Sequence, residues 1–214
     1  MNKYKHIIFD IDGTLIDTEE AILQSLKDTV REILHKDIEK YELKFALGIP
    51  GSVALRKLGI TDTKRANDRW NEHLLKYQSR IRLFDGIPQL LENLKMNGYR
   101  LGIVTSKTRN EYMTDFAAPF ALSDYFGTVI CVEDAVRPKP FPEPLQAYLD
   151  VSNINTEDAV YIGDSIYDSQ CAQNAGLDFG LAAWGNVEVQ GVSANYIFRN
   201  SVDVLFSLLK NSKQ

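Results

Sequence analysis

Residues 6–18 read His-Ile-Ile-Phe-Asp-Ile-Asp-Gly-Thr-Leu-Ile-Asp-Thr, so that a short apolar run leads directly into two carboxylates and a glycine. A strand that is covered on both faces reads as such an apolar run, and Gly13 lets the chain turn sharply after it. Asp10 and Asp12 would be costly to bury unpaired at the end of this strand. They are well suited to holding a hard cation and to attacking phosphorus. The stretch therefore indicates a buried strand that ends in a functional site.

The composition is that of an ordinary globular protein. The chain has 214 residues, 44% hydrophobic and 25% charged, enough for one sizeable domain or for one domain with a smaller insertion. Its formal net charge of -5 argues against a nucleic-acid-binding surface, which needs a basic face. Cys131 and Cys171 are too few for a disulfide scaffold, and we expect both to be reduced packing residues. With no signal peptide and no apolar stretch of membrane-spanning length, we expect a cytoplasmic protein that binds neither nucleic acid nor membrane.

Helical spacing dominates the segment after the opening turn. Thr18 has the side chain of an N-cap, and the acidic Glu19 and Glu20 after it suit the first turn of a helix. Apolar residues then recur at intervals of three and four. We predict helices over residues 19–34, 38–47, 52–58 and 62–81, and no strand between residues 17 and 82.

Strands and helices alternate after residue 84. We predict strands over residues 99–105, 128–132, 159–162 and 179–183, and helices over 88–97, 109–116, 142–149 and 166–175, followed by a short strand at 196–198 and a final helix at 202–209. Strands that alternate with helices form a parallel sheet covered on both faces. The sequence therefore predicts an α/β core, with the segment of helices inserted after the first strand.

Polar residues follow four of the predicted strands. Ligands of open parallel sheets bind outside the carboxyl ends of the strands, so side chains at these ends are expected to meet. The set combines carboxylates, hydroxyls and ammonium groups, which predicts a divalent-cation site beside a phosphate site. Its members are Asp10 and Asp12, Thr105, Ser106 and Lys107, Lys139, and Asp164 with Asp168.

The order and placement of these residues resemble the four motifs of the haloacid dehalogenase superfamily in its phosphatase form. Residues 10–14 match the first motif, Thr105 the second, Lys139 the third, and Gly163-Asp164-Ser165 with Asp168 the fourth. The likeness covers essentially the whole chain and is strongest to the phosphoglycolate phosphatase and pyrophosphatase branch. It implies a Rossmann-like, doubly wound parallel sheet formed by residues 1–16 and 84–214, with a small all-helical cap domain, residues 17–83, inserted after the first strand.

The resemblance also implies a role for each residue in phosphoryl transfer. Asp10 would be the nucleophile, and Asp12 would protonate the leaving group and later activate water. The hydroxyl of Thr105 and the amide of Ser106 would hold the transferring phosphate. Lys139 would neutralise charge between the phosphate and Asp10. The residue types alone agree with this chemistry but do not tell a nucleophile from a metal ligand.

The same resemblance implies a Mg2+ site. Asp10 would be a ligand through its carboxylate and Asp12 through its backbone carbonyl. Asp164 would bind the ion as well, and Asp168 would support it directly or through water. Magnesium takes a few protein oxygens and completes its shell with water and substrate oxygens, which fits such a set.

The expected activity is magnesium-dependent hydrolysis of a small phosphomonoester, phosphoglycolate or a similar metabolite, through an aspartyl-phosphate. The alternatives are a phosphomutase similar to β-phosphoglucomutase and a pyrophosphatase of the same superfamily. A non-enzymatic phospho-acceptor similar to a response-regulator receiver, or an idle binding relative, is disfavoured by the helical insertion and by the intact motifs. Asp12 disfavours dehalogenation, because a halide leaving group needs no acid. The expected partner is a small phosphorylated metabolite, and the oligomeric state stays open.

The substrate is expected to be selected by the helical insertion. The loop formed by residues 48–52 should face the nucleophile, because its glycines permit close approach to a substrate. Arg56 and Lys57 are interpreted as a solvated helix face rather than as ligands of an anionic leaving group. Lys107 and Arg109 are interpreted as surface or helix-start residues rather than catalytic ones.

Overall fold

The computed structural model describes residues 3–185 and 191–210. Its centre is a parallel sheet with the strand order β5-β4-β1-β6-β7-β8. The predicted α/β class with a parallel sheet is therefore confirmed. The strands are β1 His6–Phe9, β4 Arg100–Val104, β5 Phe126–Ile130, β6 Ala159–Gly163, β7 Asp178–Ala182 and β8 Tyr196–Phe198.

Strand β1 lies between β4 and β6, with Phe9 in register with Ile103 on one side and Ile162 on the other. All four of its residues are buried, as the apolar run predicts. Ile7 and Phe9 belong to one apolar cluster and Ile8 to another, because successive side chains of a strand point to opposite faces. The sheet is thus covered on both faces, and the site-bearing strand lies in its interior.

Two layers of helices provide this cover. One cluster contains buried residues of α4, α5 and α9, and the other contains residues of α7 and α8. No helix in the described part of the chain combines the length and the apolar character needed to cross a bilayer. The helices are α4 Ile87–Met96, α5 Arg109–Tyr112, α6 Ala118–Phe120, α7 Glu143–Ser152, α8 Ile166–Ala175 and α9 Ser201–Lys210.

The chain between β1 and α4 contains a separate group of helices, here called the helical segment, residues 18–81. It comprises α1 Glu19–Leu34, a 3-10 helix Lys40–Ala46, α2 Gly51–Lys57, α3 Thr63–Leu75 and a 3-10 turn Gln78–Arg80. It has its own apolar cluster, in which Leu26, Val30 and Trp70 are buried. The segment therefore packs around a core of its own rather than extending the core of the sheet.

The prediction of no strand between residues 17 and 82 is wrong at both ends of that range. Strand β2, Ile16–Asp17, pairs antiparallel with β3, Arg82–Leu83, and Asp17 lies 3.4 Å from Arg82 across the pair. Two residues are too few to show the alternation by which a strand is recognised in a sequence. The pair connects the stretch by which the chain enters the helical segment to the stretch by which it leaves.

The second and fourth predicted helices also differ from the structure. The range 38–47 contains a 3-10 helix, Lys40–Ala46, whose buried residues Leu43 and Ala46 are three apart, which suits three residues per turn. The range 62–81 contains α3, which begins after the N-cap Asp62 and ends at Leu75. In the core, the helix predicted over 109–116 changes after Tyr112 to a π-helical turn, Met113–Ala117.

Candidate active site

The strand order brings the predicted polar residues to one edge of the sheet. Because β4, β1 and β6 are neighbours, the residues that follow them, Thr105, Asp10 and Asp164, lie side by side at the carboxyl ends. One oxygen each of Asp10, Asp164 and Asp168 lies within 4.8 Å of the others. Residues that are far apart in the sequence thus form a single acidic cluster.

Lys139 enters this cluster from the chain between β5 and α7. Its Nζ lies 3.1 Å from Asp10 Oδ1 and 2.6 Å from Asp168 Oδ1, and it donates to the hydroxyl of Tyr161 at 3.1 Å. The lysine side chain is almost fully buried, as are both carboxylates. A buried ammonium beside a buried carboxylate is stable only with such close pairing.

Both oxygens of Asp168 accept hydrogen bonds from protein donors. Oδ1 accepts from Lys139 and lies 2.8 Å from the Tyr161 hydroxyl, while Oδ2 accepts from the backbone amide of Ser165 at 3.0 Å and from its hydroxyl. Asp168 is also the third residue of α8, where an acidic side chain completes a capping box with Ser165. The sequence alone does not identify Tyr161 as a residue of the site, because a tyrosine inside an apolar strand looks like a packing residue.

Burial and neighbouring charges perturb the acidic groups of the site. Burial raises the pKa of Asp10 to about 7, although Lys139 opposes the shift. Burial and the facing Asp168 carboxylate hold the pKa of Asp164 well above its usual range. Burial alone would lower the pKa of Lys139, but Asp10 and Asp168 outweigh it and keep the lysine charged. Ionised Asp10 and Asp164 therefore need more positive charge than Lys139 supplies.

The residues present fit a divalent cation. Three carboxylates, those of Asp10, Asp164 and Asp168, converge at the carboxyl ends of the strands. Hard oxygen ligands of this kind are the ones that Mg2+ prefers. A cation at this position would also relieve the repulsion that raises the pKa values of Asp10 and Asp164.

Gly13 is required by the geometry of the acidic cluster. Its φ is +75°, in the left-handed region that other residues rarely adopt. A Cβ at this position would lie 2.0 Å from Asp164 Oδ2, which no real side chain tolerates. The glycine thus lets the turn after β1 pass directly beside the carboxylate that follows β6.

Thr105 and Ser106 lie at the end of β4. Thr105 is buried, and its Oγ1 accepts from the backbone amide of Lys107 at 3.3 Å. The Ser106 hydroxyl donates to the carbonyl of Gly48 in the helical segment at 3.0 Å. The loop predicted to face the nucleophile therefore does approach the strand ends.

Two cavities meet at the acidic cluster. One of about 80 Å3 lies under the helical segment, and the other, of about 550 Å3, opens beside β2 and β3. Asp10 lines the smaller cavity, and Asp12 lines both. Trp184 lines the larger one and donates from Nε1 to the carbonyl of Thr14 at 2.9 Å.

Glu111 of α5 links the core to the helical segment. Its Oε1 accepts from the side-chain amides of both Asn67 and Asn71 at 3.0 Å, and its Oε2 accepts from the backbone amide of Thr108 at 2.9 Å. The two asparagines are four residues apart and so share one face of α3. We call this arrangement the asparagine clasp. No single stretch of sequence signals it.

The interpretation of Lys107 as a surface residue is wrong, because its side chain is buried. It is 9% exposed, and its Nζ lies 3.2 Å from Asp12 Oδ2. Arg109, in contrast, is exposed and pairs with Asp134. Arg56 and Lys57 are also exposed, as predicted for a solvated helix face. The sequence carries one signal of this placement, since Lys107 lies only three residues after the end of β4.

The chain is similar to known proteins over nearly all of its length. A model of haloacid dehalogenase-like hydrolases matches residues 7–182. A pyrophosphatase PpaX from Halalkalibacterium halodurans is 25% identical over 203 residues, which cover 93% of this chain and 94% of that protein. The match thus extends over both the sheet and the helical segment.

Two solved structures share the architecture. A protein from Lactobacillus plantarum assigned as a phosphoglycolate phosphatase is 30% identical, with a TM-score of 0.84 and coverage of 95% of this chain and 99% of that one. A haloacid dehalogenase-like hydrolase from Bacteroides fragilis is 26% identical, with a TM-score of 0.85 and coverage of 94% and 100%. The resemblance stated from the motifs is confirmed by these matches.

Proposed function

Because the chain belongs to the haloacid dehalogenase-like hydrolases, we propose that it is a phosphatase that hydrolyses a small phosphomonoester through an aspartyl-phosphate on Asp10. The observation that carries this proposal is the 3.1 Å contact between Asp10 and Lys139 at the carboxyl end of the central strand. Asp164 and Asp168 lie within 4.8 Å of the same carboxylate. A nucleophile, a fixed positive charge and a cation-binding cluster thus share one edge of the sheet.

In the first step, an oxygen of Asp10 attacks phosphorus and the bond to the leaving oxygen breaks. Lys139 stabilises the negative charge on the phosphoryl oxygens and orients the attacking carboxylate. The hydroxyl of Thr105 and the amide of Ser106, at the end of β4, hold the transferring group. Positioning and charge neutralisation are what this chemistry needs from a protein.

Asp12 acts on the leaving group. In the first step its carboxyl group gives a proton to the departing oxygen, which would otherwise leave as an unstable alkoxide. In the second step the resulting carboxylate takes a proton from water, which attacks the aspartyl-phosphate and frees Asp10 and inorganic phosphate. The cavities lined by Asp12 give this carboxylate room on the substrate side.

Asp10, Asp164 and the backbone carbonyl of Asp12 would hold Mg2+, with Asp168 supporting it directly or through water. When bound, the ion neutralises charge between these carboxylates and the phosphoryl oxygens. The fit rests on the convergence of the carboxylates of Asp10, Asp164 and Asp168.

We assign residues 17–83 as a cap that closes over the site, and residues 1–16 and 84–214 as the core. The separate apolar cluster of the helical segment supports this division. The cavity beneath the segment is lined by Asp10 and Asp12 together with residues of the segment, so the segment is in a position to contact the leaving group. Phosphoglycolate and pyrophosphate are the first substrates to test, because relatives are assigned to them.

The proposal is tested by replacing the nucleophile. Asp10→Asn should reduce hydrolysis of p-nitrophenyl phosphate to the level of a buffer blank, because an amide cannot form the aspartyl-phosphate. Phosphate release is measured with the aryl ester and then with a panel of phosphorylated metabolites that includes phosphoglycolate, pyrophosphate and glycerol phosphate. Asp150→Asn, an exposed change on α7, is the matched control and should keep wild-type turnover.

Normal turnover by pure Asp10→Asn protein would contradict the mechanism. A phosphatase releases inorganic phosphate from hexose 1-phosphate, whereas the alternative phosphomutase would return the phosphate to the sugar as the 6-phosphate. Phosphorus NMR of the product mixture separates the two activities.

A further inference from the structure

Lys107 and Asp115 form a charged chain that the proposed mechanism does not use. Lys107 Nζ lies 3.2 Å from Asp12 Oδ2 and 3.2 Å from Asp115 Oδ2. All three side chains line the small cavity beneath the helical segment. Among the described residues, no other cationic side chain contacts Asp12 within 4.0 Å. The order Asp115, Lys107, Asp12 thus runs from the π-helical turn after α5 to the leaving-group side of the site.

The backbone on each side of Lys107 is held in place. Its amide donates to Thr105 Oγ1 at 3.3 Å, and its carbonyl accepts from the amide of Val132 at 3.0 Å. Asp115 lies in the π-helical turn Met113–Ala117, and its Oδ1 accepts from the hydroxyl of Thr114 at 2.9 Å. Single π-helical turns inside α-helices are frequent at functional sites. The backbone that carries Lys107 is therefore fixed, and a neighbouring hydroxyl orients the carboxylate of Asp115.

The environment of Asp12 shows what Lys107 does. One Asp12 oxygen contacts the ammonium, and the other is buried without a hydrogen-bond partner in the described part of the chain. An aspartate that is held by one oxygen, with the other enclosed by the protein, keeps its carboxyl group in a single orientation. An ammonium that is 9% exposed cannot swing away to solvent without leaving two carboxylates unpaired.

We propose that Lys107 and Asp115 are positioning residues for Asp12, with Asp115 acting only through Lys107; this rests on the proposed function. Lys107 holds the Asp12 carboxyl group in one orientation on the leaving-group side of the site. As the phosphorus–oxygen bond breaks, its electron pair goes to the departing oxygen, which takes the proton from Asp12. The carboxylate that remains on Asp12 is then stabilised by the ammonium of Lys107, and Asp115 keeps that ammonium in place.

The test compares two leaving groups. An alkoxide leaving group needs the proton of Asp12, whereas p-nitrophenolate leaves without a proton. The ratio kcat/KM reports all steps up to and including the departure of the leaving group, so it is the quantity to compare. The alkyl substrate is the alkyl phosphate that the wild type hydrolyses fastest. We expect the loss of kcat/KM in Lys107→Met to be at least about tenfold larger for this alkyl phosphate than for p-nitrophenyl phosphate. The reason is that general acids contribute about 10²–10⁴-fold to the rate. Asp115→Asn should show the same selective loss to a smaller extent.

The double variant tests whether Asp115 acts through Lys107. If it does, adding Asp115→Asn to Lys107→Met lowers kcat/KM no further. Equal losses of kcat/KM on both esters would mean a merely structural role and would overturn the proposal. A double variant whose loss of kcat/KM equals the product of the two single losses would overturn it as well. Lys95→Met, an exposed change on α4, is the matched control.

The failure of this proposal is distinguishable from the failure of the proposed function. If the wild type releases no phosphate, or Asp10→Asn remains active, the phosphatase mechanism itself fails. If Asp10→Asn is inactive and Lys107→Met shows no preference between the esters, the positioning role alone is wrong. Should Lys107→Met not fold, as judged by circular dichroism, Asp115→Asn decides by the same ratio of losses.

Discussion

Lys139 has three oxygen atoms around its ammonium nitrogen, those of Asp10, Asp168 and Tyr161. This arrangement keeps the charge directed at Asp10 and away from solvent. Asp168 is in turn fixed by Ser165 at the start of α8. The position of one buried charge is thus determined by residues from three places in the sheet and its helices: the end of β1, the interior of β6 and the start of α8.

The buried imidazole of His6 makes the stability of the fold depend on pH. Its Nδ1 lies 3.0 Å from the Tyr148 hydroxyl, and burial lowers its pKa below the ordinary 6.5, as do the positive charges of Arg100 and Lys5. The unfolded chain therefore binds this proton at a higher pH than the folded chain does. The contribution of neutral His6 to the free energy of unfolding is present above pH 6.5 and is lost as the pH falls below that value.

Comparison of the wild type with His6→Gln should reveal this loss. We expect the free energy of unfolding, measured in urea between pH 8 and pH 5, to fall more steeply for the wild type below pH 6.5, by at most about 1.36 kcal/mol per pH unit. Parallel curves would contradict a lowered pKa of His6.

At the scale of elements, α3 is tied to α5 by the asparagine clasp and the loop before α2 is tied to β4 by the Ser106–Gly48 hydrogen bond. Both contacts cross the cavity beneath the helical segment. A carboxylate that serves two amide donors is a strong anchor, because hydrogen bonds to charged groups exceed neutral ones. The segment is therefore held over the strand ends by a small number of polar contacts.

The double variant Asn67→Ala/Asn71→Ala should weaken this closure without weakening α3, since alanine has the higher helix propensity. Leaving Glu111 without these donors costs about 1–3 kcal/mol, so we expect KM to rise about tenfold. Steady-state kinetics measure the change. Asp68→Ala, an exposed change on the same helix, is the control, and an unchanged KM in the double variant would contradict the role of the clasp.

At the scale of the whole molecule, the acidic cluster joins parts of the chain that are about 150 residues apart, which the sheet brings together through β1 and β6. A cation bound between them stabilises the folded state, because the unfolded chain has no such site. Metal binding should therefore be visible in thermal unfolding as well as in activity.

Mg2+ at about 100 times its Kd should stabilise the protein by about 2.7 kcal/mol, which corresponds to a rise in Tm of roughly 5–10 °C for a chain of this size. EDTA should abolish both this rise and the phosphatase activity. Differential scanning calorimetry of the wild type and of Asp164→Asn measures the effect. A rise of the same size in Asp164→Asn would contradict the assignment of Asp164 as a ligand.

The fold class and the set of polar residues at the strand ends could be predicted because they depend on local patterns. An apolar run followed by Asp10, Asp12 and Gly13 indicates a buried strand and a turn wherever it occurs. The alternation of strands and helices then places all carboxyl ends at one edge. Strands β2 and β3 could not be predicted, because each has only two residues, too few to show the alternation of apolar and polar side chains.

Residues 6–18 thus specify the first strand, the turn and the two carboxylates, because backbone conformation and burial are written into adjacent side chains. The partners of those carboxylates depend on the fold. Lys107 reads in the sequence as a surface lysine, and it becomes a buried contact of Asp12 because β4 lies next to β1 and the turn after α5 brings Asp115 to its other side. Charges separated by many residues interact only after the sheet has brought them within a few ångströms, where Coulomb energy and desolvation become large.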